Sequence, residues 1–294
     1  MKRLVAITQL FIFSNLFVSL CVTAFTHLTY LIYNLPKNNL AFVLVMVFCF
    51  SFFTYNFQRF IKFRSSLPNH SKPGNRLKWM LKEKSSLTIS SIIAGIIGLV
   101  CTYFIHPLCF LILIPMGALS TFYVVPLLPF YKKSLTLREI PYLKIFIIGF
   151  VWSLIVVALP VLDSLATIKN TSILNFKLEI LQNILFIISI TLPFDIRDID
   201  YDKKSNLKTI PLFLGVTKTI VLSEILLIGS IILLFHLNIA PYHFYALLIG
   251  HVITMIVITF TKKERAELFF TGVIESLIIV NYGCVLISEY CFSL

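Results

Sequence analysis

Leu192-Pro193-Phe194-Asp195-Ile196-Arg197-Asp198-Ile199-Asp200-Tyr201-Asp202 follows directly on an apolar run long enough to cross a bilayer, and it gathers four of the chain's five aspartates into eight residues. Like charges three and four residues apart on a helix repel by about a few tenths of a kcal/mol per pair, and carboxylates at a membrane boundary also lose hydration. A helix with no task for these groups avoids the arrangement, so something cationic is expected here. If the helix continues past the bilayer, Asp195, Asp198 and Asp202 stand at i, i+3 and i+7 and share one face, while Asp200 points elsewhere.

The rest of the chain sets the medium. Of 294 residues, 58% are hydrophobic and 28 are Phe, and the mean hydropathy is +0.93, whereas ordinary soluble domains are roughly 45–50% apolar. Reading for stretches of about 20 mainly apolar residues gives nine spans, at 4–33, 40–61, 86–105, 107–128, 143–162, 179–195, 219–237, 242–261 and 267–290. The expectation is an all-α membrane protein with nine transmembrane helices, all of residues 1–294 forming a single transmembrane domain embedded in the lipid bilayer. Of the 25 Lys and Arg, 22 fall at the N-terminus and in the segments 59–84, 132–144, 197–218 and 262–265, leaving Lys37, Lys169 and Lys177 on the other side. The positive-inside rule then expects a cytoplasmic N-terminus and a C-terminus outside. The net charge of +12 is read mainly as topology, not as a footprint for nucleic acid. Richness in Lys, Asn, Ile and Phe hints at a bacterial inner membrane. The six cysteines lie in or beside apolar spans without C-x-x-C spacing and read as small buried hydrophobes. Met1-Lys2-Arg3 opens an apolar stretch far longer than a signal-peptide core, so it reads as an uncleaved first span.

Three carboxylates on one helix face suit a hard cation, and magnesium characteristically binds through one or two carboxylates plus substrate phosphate oxygens. Arg197, Lys203, Lys204 and Lys208 stand close by. Carboxylates for metal mixed with Lys and Arg for phosphate are what a diphosphate leaving group requires. The blander alternative is a solvated helix end in which Asp198 pairs with Arg197 or a lysine. Pro126, Pro129 and Pro141 bracket the basic loop 131–138, and Pro211 and Gly215 punctuate the stretch beyond the aspartates, so these loops are shaped segments.

These residues resemble the UbiA superfamily of intramembrane prenyltransferases. Asp195-Ile196-Arg197-Asp198 through Asp202-Lys203-Lys204, then Lys208-Thr209-Ile210-Pro211 and Gly215, is similar to the family's second aspartate motif. Arg138-Glu139-Ile140-Pro141-Tyr142-Leu143-Lys144 with Gly149 is similar to its basic loop and the start of its fifth helix. The resemblance covers nearly the whole chain and implies a helical barrel with a central cavity, in which an isoprenyl group moves from a prenyl diphosphate to an acceptor with Mg2+ drawing off the diphosphate. It implies catalytic roles for Asp198 and Asp202, metal binding by Asp195, Asp198 and Asp202, and diphosphate binding by Arg59, Arg64, Arg138, Lys203 and Lys208. The family's first motif, N-x-x-x-D-x-x-x-D, falls here on Asn56, Phe60 and Arg64, so only the asparagine remains. Arg59 or Arg64 replacing one metal, a protein that binds prenyl lipids without turnover, and a variant reaction are the three readings that follow.

Glu275, about two turns into the last span, either orients an acceptor or acts as a base, or else hydrogen-bonds inside the bundle. Glu224 is expected to pair with a lysine, and His251 reads as a satisfied interior histidine. Asn15, Tyr55, Tyr123 and Trp152 are candidates to line the cavity, where aromatic faces stabilise a developing carbocation. The rival class is a membrane carrier. Carriers place polar or broken helices at mid-membrane, whereas the polar residues here cluster at the inner boundary. The sequence does not identify the acceptor.

Overall fold

A computed structural model describes residues 9–66, 75–126, 136–164 and 173–292, and these are helical with no strand among them. In chain order the helices are α1 (Leu16–Ile32), α2 (Leu40–Ser66), α3 (Asn75–Lys82), α4 (Lys84–Cys101) and α5 (Phe110–Phe122). They continue as α6 (Leu143–Ser164), α7 (Ile173–Arg197), α8 (Ile199–Lys204), α9 (Ile210–Leu214), α10 (Val216–Leu234), α11 (Pro241–Thr259) and α12 (Phe269–Phe292). Seven helices among the described residues are long and apolar enough to cross a membrane. The spans expected at 4–33 and 107–128 correspond to shorter apolar helices, Leu16–Ile32 and Pro107–Phe122. The first is broken at Asn15, which takes φ 69° and ψ 12°. Asparagine is among the few non-glycine residues that enter this left-handed region readily.

Buried and exposed residues divide as a lipid-facing bundle requires. α1 lies at the centre, its Cys21, Phe25 and Tyr30 packed in one cluster with Val156, Val157 and Leu159 of α6 and Phe186 of α7. Ile92, Ile96 and Leu99 of α4 face outward, as do Ile225, Ile228 and Ile232 of α10 and Ile249 and Ile256 of α11. Such rows are stable only where the surroundings are as apolar as they are.

Two π turns, Leu154–Ala158 in α6 and Phe269–Ile274 at the start of α12, each insert one extra residue into a helix. Both lean on α1: Thr29 Oγ1 donates to the carbonyl of Val156 at 2.7 Å, and the Cys21 thiol approaches the carbonyl of Glu275 at 3.5 Å. At one end of the bundle Asp163 accepts from the His106 amide at 2.9 Å and from Asn39 Nδ2 at 3.3 Å, tying α6 to the segments before α2 and α5.

Polar groups inside the bundle are mostly satisfied. His251 bonds the Leu247 carbonyl through Nδ1 at 2.8 Å and meets Ser230 and Gln182 through Nε2, each at 3.0 Å, so it is a satisfied interior histidine linking α7, α10 and α11. Glu224 departs from expectation: both carboxylate oxygens are buried without a hydrogen-bond partner, and no lysine pairs with it among the described residues. The cysteines are free, and four of the six are buried.

Gly250 sets the approach of α11 to α12, since a Cβ there would stand 2.5 Å from Asn281 Oδ1 and 3.1 Å from the Asn281 Cα. Overpacking of this kind costs about 1–3 kcal/mol. Gly250→Ala is therefore expected to lower the midpoint of thermal unfolding in detergent by several degrees, and an unchanged midpoint would show that the two helices are not held at this distance.

Candidate active site

The helices enclose a cavity of about 1330 Å³. Its walls are apolar, built from Val18 and Val22 of α1, Phe50 of α2, Ile96 of α4 and Ile148 of α6, while its mouth carries nearly all the charge. Asp195, Arg197, Asp198 and Tyr201 come to the mouth from α7, α8 and the residue between them, Arg138 from the turn before α6, Lys144 from the start of α6, Arg59 from α2, Arg76 from α3, and Arg265, Glu267 and Glu275 from α12 and the loop before it.

The aspartate run sits where the chain turns out of the bundle. α7 ends at Arg197 and α8 starts at Ile199, yet the Asp198 amide still reaches the Phe194 carbonyl and the Asp202 amide the Asp198 carbonyl, at 3.0 and 2.9 Å. The i, i+3, i+7 face survives this one-residue interruption. Asp195 is buried and ion-paired with Lys144. Asp198 takes Arg197 Nε and Nη2 at 2.8 and 3.2 Å, and the same guanidinium lies over the rings of Phe194 and Phe270 at 5.3 and 5.6 Å. Asp202 lies behind the wall, fully buried, with both carboxylate oxygens lacking a hydrogen bond and Arg138 Nη2 4.0 Å away. Burial pushes its pKa up; Lys144 opposes that shift and Asp198 adds to it. Asp200 points outward, as its position on the helix requires, and pairs with Lys263 at 2.8 Å, which holds its carboxyl below the usual range.

Arg59, Arg138, Asp195, Asp198 and Glu275 are thus brought together at the mouth, with Asp202 directly behind. Lys203 and Lys208 are exposed and do not line the cavity. The side chain of Arg64 lies outside the described residues, as do loop residues 127–135, but Leu137–Glu139 forms a capped turn in which Glu139 Oε2 accepts from the Thr136 amide at 2.8 Å. That turn holds Arg138 over Tyr201, 5.9 Å from the ring centroid. Asn56 is fully buried and bonds Ser14 O, Phe52 O and Asn15 Nδ2 at 2.9–3.1 Å, facing α1 and not the cavity. Asn15 is engaged likewise, whereas Tyr55, Tyr123 and Trp152 do line the cavity, with Trp152 Nε1 donating to Tyr55 Oη at 2.8 Å.

Lys144, the last residue of the Arg138–Lys144 stretch, neutralises Asp195. Arg76, which the motifs do not single out, reaches the mouth from α3; its local sequence resembles that of the other basic residues that set topology. Burial lowers the pKa of Arg76, against the pull of Glu275 and Glu267.

For a metal, the orphaned oxygens of Asp202 and the nearby Asp195 and Asp198 are suitable hard donors. No cluster of three or more His, Cys, Asp or Glu side chains spaced to hold an ion forms among the described residues, because Lys144, Arg138 and Arg197 each stand against one aspartate. Phe60 of α2, which is not among the residues lining the cavity, offers no ligand at all. The donor set fits a metal on the α7–α8 side and does not fit one on the α2 side.

A helical membrane bundle with an apolar cavity and an acidic and basic mouth is the class this geometry defines. The chain belongs to the UbiA prenyltransferase family, whose family profile matches residues 82–271. It is similar in fold to a UbiA homolog from Archaeoglobus fulgidus bound to GPP and Mg2+, at 13% identity and TM-score 0.64, covering 95% of this chain and 99% of that one. It is likewise similar to the apo UbiA homolog from Aeropyrum pernix K1, at 13% identity and TM-score 0.62, covering 96% and 98%. A digeranylgeranylglyceryl phosphate synthase matches at 17% identity and TM-score 0.56, covering 98% and 97%. No curated protein matches the sequence.

Removing one member of a buried ion pair leaves an uncompensated charge at a cost of about 3–5 kcal/mol. Lys144→Met is expected to lower the unfolding midpoint sharply, and Asp195→Asn in that background to restore most of it. Additive losses in the double variant would mean that Lys144 and Asp195 are not coupled.

Proposed function

We propose that this chain transfers an isoprenyl group from a prenyl diphosphate to a membrane-accessible acceptor. The observation that carries the reading is the division of one cavity into an apolar chamber and a charged mouth, which matches a molecule with a hydrocarbon tail and a diphosphate head. The family membership supports it.

In this reading Asp198 and Asp202, with Asp195, hold Mg2+ and are the catalytic carboxylates; the ion, when bound, offsets the charge that gathers on the departing diphosphate. Arg59 and Arg138, with Arg64, bind the diphosphate by charge-assisted hydrogen bonds. Lys203 and Lys208, on the exposed side of α8 and its following loop, raise the positive potential that draws the anion in. The apolar wall holds the isoprenyl tail, excluding water from the carbon that loses its leaving group. Trp152 and Tyr55, fixed by their mutual hydrogen bond, present aromatic faces to the positive charge developing there. Glu275, directly after the π turn of α12, orients the acceptor. The whole of residues 1–294 works as one transmembrane domain of nine crossings in a cell membrane, by composition a bacterial inner membrane, with the N-terminus and the mouth cytoplasmic and the C-terminus outside. The charge bias of the loops supports that orientation.

A second reading, a member that binds prenyl lipids without turnover, is favoured by the loss of both carboxylates at Phe60 and Arg64. Diphosphate release measured from geranyl diphosphate with a broad acceptor panel separates the two. The enzyme is expected to release diphosphate in a Mg2+-dependent manner, with Asp198→Ala and Asp202→Ala each at least about 100-fold slower, a loss of about 2.7 kcal/mol of transition-state stabilisation. Undiminished rates in either variant would remove the metal role. A Mg2+-dependent thermal shift with geranyl diphosphate but no release from any acceptor would establish the binder instead.

A further inference from the structure

The half of the mouth that cannot hold metal is nevertheless built with care. Asn56, the survivor of the first motif, is turned away from the cavity, and its Oδ1 accepts from Asn15 Nδ2 at 2.9 Å. Asn15 Oδ1 in turn accepts from Arg76 Nη2 at 2.9 Å, and that nitrogen also reaches the Ile12 carbonyl at 3.2 Å. At the break in the first helix, with Asn15 at φ 69°, the Ile12 carbonyl accepts from the Asn15 main-chain amide at 3.4 Å and from Arg76 together. Arg76 comes from the short cytoplasm-side helix α3, yet it is 5% exposed and its Nε has no hydrogen-bond partner among the described residues. Beside it stands Arg59, with no carboxylate within 4.0 Å among those residues; Arg76 itself meets Glu267 only at 3.8 Å. A left-handed residue, two buried amides and a buried guanidinium are costly features to align. Glu267 and Glu275 stand near these arginines, yet neither makes a hydrogen bond to them and the Arg76 Nε is left without a partner among the described residues, a donor that a phosphate oxygen satisfies.

We propose that Arg76, positioned by Asn15 and Asn56, forms with Arg59 a guanidinium site that grips the diphosphate directly on the wall where positions 60 and 64 supply no carboxylate. Guanidinium forks present paired donors to phosphate oxygens, so this wall binds the diphosphate head without an ion between. The inference rests on the prenyl-diphosphate reading above and adds to it that part of the binding is independent of metal. If Arg76 served only to fasten α3 to the bundle, its loss would lower stability without touching metal-free affinity.

The test is binding of geranyl diphosphate and of inorganic pyrophosphate to the purified full chain in detergent, measured by calorimetry in EDTA and again in MgCl2. The expected result is binding of geranyl diphosphate in EDTA, weakened at least tenfold by Arg76→Gln and by Arg59→Gln, and weakened also by Asn15→Ala, which leaves both arginines in place. Arg76→Lys keeps the charge and loses the fork, so it guards against a glutamine variant that fails to fold; it too is expected to bind less tightly in EDTA. Wild-type binding seen only with Mg2+ would overturn the arginine site and leave the prenyl-diphosphate reading standing. Unchanged metal-free affinity in Arg76→Lys and Asn15→Ala would also overturn it, and absence of binding under both conditions would overturn both.

Discussion

Carboxylates at the end of the most buried long helix must be matched by cations delivered from elsewhere in the chain, and the folding of the charged end follows from that requirement. Asp195 takes Lys144 from the start of α6, Asp202 faces Arg138 from the capped turn before it, and Asp200 takes Lys263 from the loop between α11 and α12. These pairs differ in weight. The Asp200–Lys263 pair is open to water and is worth little, as exposed pairs are. Lys144 and Asp195 are buried together, where the loss of one partner strands the other. The aspartate run therefore acts as an electrostatic anchor for the segments around it, and the cavity mouth takes its shape from where those segments are tied.

The chamber beneath depends on a different device. α1 runs through the centre of the bundle and receives both π turns, so α6 and α12 each change register where they meet it. Trp152 lies just before one turn and Glu275 just after the other, and both line the cavity. The extra residue in each turn lets a helix that packs on α1 in one half present a functional side chain in the other, which an unbroken 3.6-residue period would not allow.

Much of this was legible in residue order. Apolar runs located the helices, the loops' basic residues marked one end, and helical spacing placed Asp195, Asp198 and Asp202 together and sent Asp200 outward. His251 and most of the cysteines turned out as buried as their surroundings suggested. What escaped the sequence depended on contacts between distant segments. Arg76 looks like any other charge in a basic loop until Asn15, some sixty positions earlier, is seen to hold it. Asn56 carried the signature of a ligand, but a motif position records identity and not direction, and its amide had been claimed by α1. Two of the nine expected spans are shorter apolar helices, because hydropathy is blind to features such as the left-handed residue at Asn15 that interrupts the first apolar run. Glu224 has no lysine partner among the described residues, and a carboxylate near a helix start does not show from sequence alone whether a cation will turn toward it.

The chain of amides from Asn56 through Asn15 to Arg76 also limits what position 56 can do. An asparagine on α2 supports Asn15 at the head of α1, and Asn15 supports an arginine of α3, so acidic residues placed at positions 60 and 64 would find the third member of the motif already committed. The hydrogen bonds thus tie the identity of position 56 to those of positions 15 and 76, so that these three residues act as one unit.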